Sequence, residues 1–266
     1  MAELRFTILG CGSSGGVPRL GGRWGACDPA NPLNRRRRCS LLVERIDGAQ
    51  ATQVLIDTGP DMRAQLLDAG VETLDGVLFT HDHADHVHGI DDLRQVFFNR
   101  RARLPVWASP ATAQTLRRRF DYLFDQPEDS LYPPILDLSL IDGPVRVQGA
   151  GGAIEARPFA VPHGPGMEAL GFRIGPVVYL PDVSAMSPEA WEAVRGVECW
   201  IVDALRYEPH LTHSHLSQTL DWIARAAPRR AIITNMHIDL DHARVQAETP
   251  AHVAPAHDGM RLSFPL

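Results

Sequence analysis

The sequence predicts an α/β fold, and three observations carry the prediction. Short β-rich runs alternate with amphipathic helical segments, the helices have recognisable start and stop residues, and no long linker interrupts the series. With 266 residues and 44% hydrophobic content, the chain can bury a sizeable core, and one domain over residues 1–266 is the simplest organisation.

In the first half, residues 4–9, 40–46, 54–57 and 77–80 read as strands, and residues 60–69 as an amphipathic helix closed by Gly70. Ser109-Pro110 supplies an N-cap and a first helical residue for a helix running through Phe120. The second half repeats the pattern. Strands are expected near 154–159, 170–174, 177–180, 200–202 and 231–234. Ser187-Pro188 opens one helix, and residues 216–227 form another that stops before Pro228. Two strand-rich halves with helices suggest sheets packed face to face with helices outside.

Composition narrows the function. Net charge is −6 and the pI about 6.0, which argues against a general nucleic-acid binder. All 26 basic residues are arginine. Without lysine there is no Walker-type phosphate loop and no Schiff-base chemistry, since both need an amine. Cys11, Cys27, Cys39 and Cys199 are scattered, as expected of reduced thiols rather than a disulfide framework. No apolar run approaches the roughly 20 residues of a membrane span, and the first residues lack a signal-peptide layout, so a cytoplasmic location is expected.

The chemistry concentrates at the end of one strand. Thr80-His81-Asp82-His83-Ala84-Asp85-His86 follows the apolar run Gly76-Val77-Leu78-Phe79 and puts three imidazoles and two carboxylates within six residues. Imidazole nitrogen and carboxylate oxygen suit zinc and related divalent ions. Further ligands are expected at other strand ends, and His163 in Val161-Pro162-His163-Gly164 and Asp182 in Leu180-Pro181-Asp182 stand at two of them.

The H-x-H-x-D-H spacing resembles the signature of the metallo-β-lactamase superfamily. The stretches Gly10-Cys11-Gly12-Ser13-Ser14-Gly15-Gly16-Val17-Pro18, Arg36-Arg37-Arg38-Cys39-Ser40, Leu55-Ile56-Asp57-Thr58-Gly59, Val87-His88-Gly89 and Leu180-Pro181-Asp182 resemble its PhnP-like branch, the cyclic phosphodiesterases of phosphonate breakdown. tRNase Z is similar at greater distance. The resemblance covers nearly the whole chain. It implies a four-layer αββα sandwich with two divalent ions, Zn²⁺ or Mn²⁺. His81, His83 and His163 would hold one ion, Asp85, His86 and a late histidine the other, and Asp182 would bridge them. Two such cations can share a hydroxide nucleophile and stabilise an in-line phosphoryl displacement.

Two departures from the branch stand out. Relatives carry a histidine where the strand here ends in Thr234-Asn235-Met236-His237. Strict register puts Asn235 at the ligand position, but we assign it to His237, two residues on and on the same side of a continuing strand. The branch can also carry a cysteine-rich structural zinc site after the Gly-rich opening. Here that loop keeps only Cys27, and one thiolate cannot build a closed tetrahedral site, so no such zinc is expected.

Phosphoryl transfer needs a proton for the leaving alkoxide. Pro209-His210-Leu211-Thr212-His213-Ser214-His215 precedes a helix, and a helix N-terminus favours a nearby phosphate. His213 best matches the branch's phosphate-contacting or general-acid histidine, with His215 the alternative and His210 structural. Asp85 and His213 are therefore the expected catalytic residues, with His213 and His215 contacting substrate. Asp57 is expected to orient a ligand histidine. Arg35–Arg38 reads as a solvated loop or as a phosphate contact, and Arg117–Arg119 as a charged surface.

The expected function is a metal-dependent phosphodiesterase acting on a small cyclic or nucleotide-like phosphodiester, without a stable nucleic-acid or membrane partner. A homodimer is expected only by analogy. The competing readings are a tRNase Z-like nuclease, a thioester or lactone hydrolase, and a non-catalytic metal-binding accessory protein.

Overall fold

The computed structural model describes residues 2–126 and 131–266. Its strands are β1 (Glu3–Gly10), β2 (Ser40–Asp47), β3 (Gln50–Ile56), β4 (Gly76–Leu78), β5 (Leu104–Ala108), β6 (Leu136–Leu140), β7 (Val145–Val147), β8 (Ile154–Pro162), β9 (Glu168–Ile174), β10 (Val177–Leu180), β11 (Cys199–Asp203), β12 (Arg230–Thr234), β13 (Val253–Pro255) and β14 (Met260–Pro265). The helices are α1 (Met62–Ala69), α2 (Ala84–Val87), α3 (Leu93–Arg100), α4 (Pro110–Phe120), α5 (Pro188–Ala193), α6 (Leu216–Ala226) and α7 (His242–Glu248). The strands form two mixed sheets, ordered β14-β1-β2-β3-β4-β5-β6 and β13-β12-β11-β10-β9-β8-β7. The chain divides into two compact units, one holding the N-terminal strand with Ser40–Glu155 and Arg261–Leu266, the other Gly10–Cys39 and Ala156–Met260.

In the first unit, β2 and β3 form an antiparallel hairpin whose turn uses Gly48 at φ 61°, a left-handed conformation that glycine adopts without strain. From β3 onward the pairing is parallel through β4, β5 and β6. Val54, Leu55 and Ile56 are all buried, as expected for a strand covered on both faces. Leu55, Val77 and Val106 of the sheet share a core with Met62 and Leu66 of α1, Leu93 and Val96 of α3, and Ala113 and Leu116 of α4. Ser109 caps α4 by accepting the Thr112 amide at 3.3 Å. Gly70 ends α1 at φ 70°.

In the second unit, β8, β9 and β10 pair antiparallel, while β10, β11, β12 and β13 run parallel. Trp200, Ile201 and Val202 are wholly buried. Ser187 opens α5 by accepting the Ala190 amide at 3.0 Å while its own hydroxyl donates to Ala160 O at 2.7 Å. In each unit the parallel strands point their carboxyl ends the same way, and the loops leaving those ends converge. Ligand sites of α/β sheets form at such ends.

Candidate metal centre

The first unit builds a histidine cluster at the end of β4. Asp57, directly after β3, has a fully buried carboxylate and a φ of 64°. The left-handed conformation costs a non-glycine residue about 1 kcal/mol, less for Asp than for most, and persists where surrounding bonds over-determine it. They do so here. Asp57 Oδ1 accepts the Thr80 amide at 2.8 Å, and Oδ2 accepts the Thr80 hydroxyl at 2.7 Å and faces His86 Nδ1 at 2.8 Å. Because the Thr80 proton goes to Asp57, the 2.9 Å contact between Thr80 Oγ1 and His81 Nδ1 makes Nδ1 the donor. The network thus assigns both histidines the same tautomer and makes Nε2 the lone-pair nitrogen of each.

The rings stand close together. The His81 centroid lies 4.6 Å from that of His83 and 4.2 Å from that of His86. Asp85 Oδ2 lies 3.5 Å from His86 Nε2. Burial lifts the Asp57 carboxyl above its ordinary range, and the His86 charge and its hydrogen bond oppose that lift. The loop is pinned through its backbone as well, since the Thr58 amide donates to His86 O and the Gly89 amide to Thr58 O, both at 2.7 Å.

The second unit builds its own cluster at the ends of β8, β10, β11 and β12. One ligating atom from each of His163, Asp182 and His213 lies within 4.8 Å of the others. His163 Nδ1 donates to Thr212 O at 2.7 Å, which again makes Nε2 the lone-pair atom. Asp182 Oδ1 stands 3.9 Å from His163 Nε2 and 3.4 Å from His213 Nδ1. Asp203 Oδ2 takes His213 Nδ1 at 3.0 Å and the Val183 amide at 3.2 Å. Burial pushes the Asp203 carboxyl up to about 6, with the His213 charge pulling the other way.

Asn235 completes this second cluster. At φ 59° it turns the chain out of β12, and its amide nitrogen donates to Asp182 Oδ1 at 3.3 Å and Asp203 Oδ1 at 3.2 Å. The structure therefore brings Asn235, not His237, to Asp182, Asp203 and His213. His237 Nδ1 lies 2.8 Å from Asp239 Oδ2, and its Nε2 accepts from Arg19 Nη2. A strand continuing past Thr234 would put residues 235 and 237 on one side. The left-handed turn at Asn235 breaks that alternation.

Other candidates have partners of their own. His215 precedes α6 with its Nδ1 against Ser217 Oγ at 3.1 Å. His210 is exposed, contacts Thr212, and its ring stands 5.3 Å from that of His213. Arg36 is neither solvated nor a phosphate contact: its buried guanidinium donates to Leu240 O at 2.7 Å and Asn34 Oδ1 at 3.1 Å. Cys27 is buried against Ile238 O and Leu240 O, and burial raises its thiol pKa. Arg119 is more than charged surface, since it donates to Asp82 O at 2.7 Å and so ties α4 to the histidine loop.

A match to the β-lactamase superfamily domain covers residues 52–238, most of the chain. The chain belongs to the β-lactamase superfamily. A crystal structure described as a new diphosphatase from the PhnP family is 33% identical, with a TM-score of 0.88 over 99% of this chain and 98% of that one. This places the superfamily member in the PhnP-like branch and gives it the metallo-β-lactamase fold. Human tRNase Z, short form, shares that fold at greater distance, with 16% identity and a TM-score of 0.67 over 98% of this chain and all of that one. An octanoyltransferase of Porphyromonas gingivalis (strain W83) is 31% identical over 97% of this chain but only 51% of its own length. The chain thus spans about half of that relative.

The donor chemistry of both clusters fits a divalent metal: imidazoles with fixed tautomers, buried carboxylates and close ring packing. Sequence reasoning left the roles of Thr80, Thr212 and Asp203 unassigned and passed over Asn235 in favour of His237. Asp203 had one available signal, a carboxylate at the end of the apolar run Trp200-Ile201-Val202.

Proposed function

We propose that this superfamily hydrolase is a metal-dependent phosphodiesterase acting on a small cyclic or nucleotide-like phosphodiester, with His213 as its general acid. The observation that carries the reading is the anchoring of His213 Nδ1 on the buried Asp203 carboxylate at 3.0 Å. A carboxylate there stabilises the imidazolium and fixes the ring, so a proton delivered to a leaving oxygen comes from Nε2. His81, His83, Asp85 and His86 serve as ligands from the first cluster, and His163 and Asp182 from the second. Bound Zn²⁺ or Mn²⁺ would lower the pKa of water and neutralise charge developing on the phosphoryl group. Asp57, Thr80 and Thr212 hold the ligand imidazoles in their tautomers. The similarity to a PhnP-family diphosphatase supports phosphorus as the reacting centre.

The octanoyltransferase relative raises acyl transfer as a second reading. A covalent acyl step through sulfur or nitrogen needs a thiolate or an amine. This chain has no lysine, and its four cysteines are all buried with raised thiol pKa values. Acyl transfer through a cysteine or a lysine is therefore the weaker reading, and the net charge of −6 weighs in the same way against a tRNA substrate. The test is hydrolysis of bis(p-nitrophenyl) phosphate and of an octanoyl thioester by protein loaded with Mn²⁺ or Zn²⁺. Turnover of the phosphodiester, lost in Asp182→Ala, supports the proposal. Turnover of the thioester alone overturns it.

A further inference from the structure

The Gly-rich opening of the second unit is not used by the chemistry above, yet it carries several hydrogen-bond donors without protein partners. The Gly16 amide donates to Ser13 O at 2.8 Å and closes a turn with Ser14 and Gly15 exposed at its tip. Among the described residues no backbone carbonyl takes the Ser14 or Gly15 amide. The Ser13 hydroxyl is buried and has no partner among the described residues. Arg19 lies over this turn: a Cβ on Gly15 would stand 3.1 Å from Arg19 Nε, and one on Gly16 would stand 3.7 Å from Arg38 Nη1. Glycine at both positions keeps the guanidinium groups close to the backbone.

Arg19 is held in place from behind. Asp239 Oδ2 lies 2.8 Å from His237 Nδ1, and His237 Nε2 accepts from Arg19 Nη2. The Arg19 Nε–H is buried without a partner, and no carboxylate pairs with Arg19 among the described residues. Asp239, the nearby acid, is engaged by His237 instead.

We propose that the Ser13–Gly16 turn and Arg19 form an anion subsite that receives a second phosphate of the substrate, a reading that rests on the phosphodiesterase assignment and narrows it to substrates with two phosphoryl groups. The donors are of the kinds that bind phosphate oxygens: backbone amides, a hydroxyl and a fork-shaped guanidinium. The location suits a small molecule. Gly12 bridges Met236, and the Ser13 amide reaches Met236 O at 3.4 Å. Met236 directly follows Asn235, whose amide lies in the His163–Asp182–His213 cluster, and one residue step spans about 3.8 Å. The subsite and the cluster are therefore neighbours within the same unit.

The subsite is tested separately from catalysis by titrating metal-free protein, in the presence of EDTA, with inorganic pyrophosphate in a calorimeter. The wild type is expected to bind, Arg19→Ala to bind at least tenfold more weakly and Ser13→Ala severalfold more weakly. Arg118→Ala, on α4, is expected to match the wild type. Thermal unfolding of each variant checks its fold, and Arg19→Lys, which keeps the charge and loses the fork, stands in if Arg19→Ala does not fold. No binding by the wild type, or equal binding by the wild type and folded Arg19 and Ser13 variants, overturns the subsite. With metal restored, the KM in Arg19→Ala for a 2′,3′-cyclic nucleotide that also carries a 5′-phosphate should rise about tenfold more than that for bis(p-nitrophenyl) phosphate. If the wild type hydrolyses no phosphodiester, the functional reading fails while the pyrophosphate titration still decides the subsite.

Discussion

Asp57 Oδ2 stands 2.8 Å from His86 Nδ1, and the Asp57 carboxylate is wholly buried at the start of the loop that follows β3. This pair links fold to chemistry in the first unit, because the same carboxylate also takes the Thr80 amide and hydroxyl. Replacing Asp57 with Ala should weaken metal binding about 10- to 100-fold, the usual cost of losing a carboxylate behind a ligand histidine. Metal titration monitored by competition with a chelating dye measures the loss. Binding unchanged within twofold would show that His86 does not depend on Asp57.

His237→Ala should leave metal stoichiometry unchanged, because the His237 ring is committed to Asp239 and Arg19. Asn235→Ala should destabilise the metal-free protein by about 1–3 kcal/mol, since it leaves the buried Asp182 and Asp203 carboxylates without the amide they share. Elemental analysis and denaturant unfolding separate the two outcomes. A lower metal count in His237→Ala would return the last ligand position to His237.

The fold was legible in the sequence where local chemistry and pattern agreed. Ser109-Pro110, Ser187-Pro188 and Gly70 act through short-range bonds, and each marks a helix end in the structure. Strands β5, β6, β7, β13 and β14 were not anticipated, and two of them, β5 and β13, carry an internal or terminal proline, Pro105 and Pro255, which weakens a strand pattern. The H-x-H-x-D-H loop was legible through its resemblance to the superfamily signature, and the structure packs its three histidine rings together. What the sequence could not show was register past a strand end, so the left-handed turn at Asn235 was invisible. The arginine run was misleading for a similar reason, since the shortest hydrogen bond of Arg36 goes to Leu240 O, 204 positions away.

Arg36→Met should cost about 1–3 kcal/mol. The buried guanidinium is the short donor to Leu240 O at 2.7 Å, and its removal strips that carbonyl, while Asn34 Oδ1 keeps the His242 amide at 2.8 Å. Chemical denaturation of the two proteins reads the difference directly. A change below about 0.5 kcal/mol, the scale of an ordinary surface substitution, would mean that the guanidinium is not a structural tie.

Alkaline pH should destabilise the protein through Cys199, whose thiol burial pushes its pKa up to about 12 from the ordinary 9.0. The unfolded chain releases this proton near pH 9, whereas the folded chain holds it until about pH 12. Stability from this group is therefore complete below pH 9 and is lost as pH rises through that window, by up to about 1.4 kcal/mol per pH unit. Denaturant midpoints of wild type and Cys199→Ala between pH 8 and 10.5 measure it. The variant should show the shallower decline, and identical slopes would remove Cys199 as the cause.

Gly89→Ala should unfold the histidine loop or prevent folding, because a Cβ there would lie 2.1 Å from Gly59 O, deep inside van der Waals contact. Thermal unfolding compares it with Gly143→Ala, where a Cβ meets nothing within 4 Å. Equal midpoints for the two variants would mean that the loop can relax around the methyl group.

The central claim is that the two clusters hold metal for phosphodiester hydrolysis with His213 supplying the proton. The most direct test is the rate of hydrolysis of 2′,3′-cyclic AMP, a phosphodiester whose leaving group is an alkoxide, by Mn²⁺- or Zn²⁺-loaded wild type and His213→Ala, with metal content measured on the same samples. The account predicts metal-dependent turnover by the wild type and a rate lower by about 10²-fold or more in the variant, both carrying the same amount of metal. A metal-loaded wild type without phosphodiesterase activity, or a variant as active as the wild type, would contradict it.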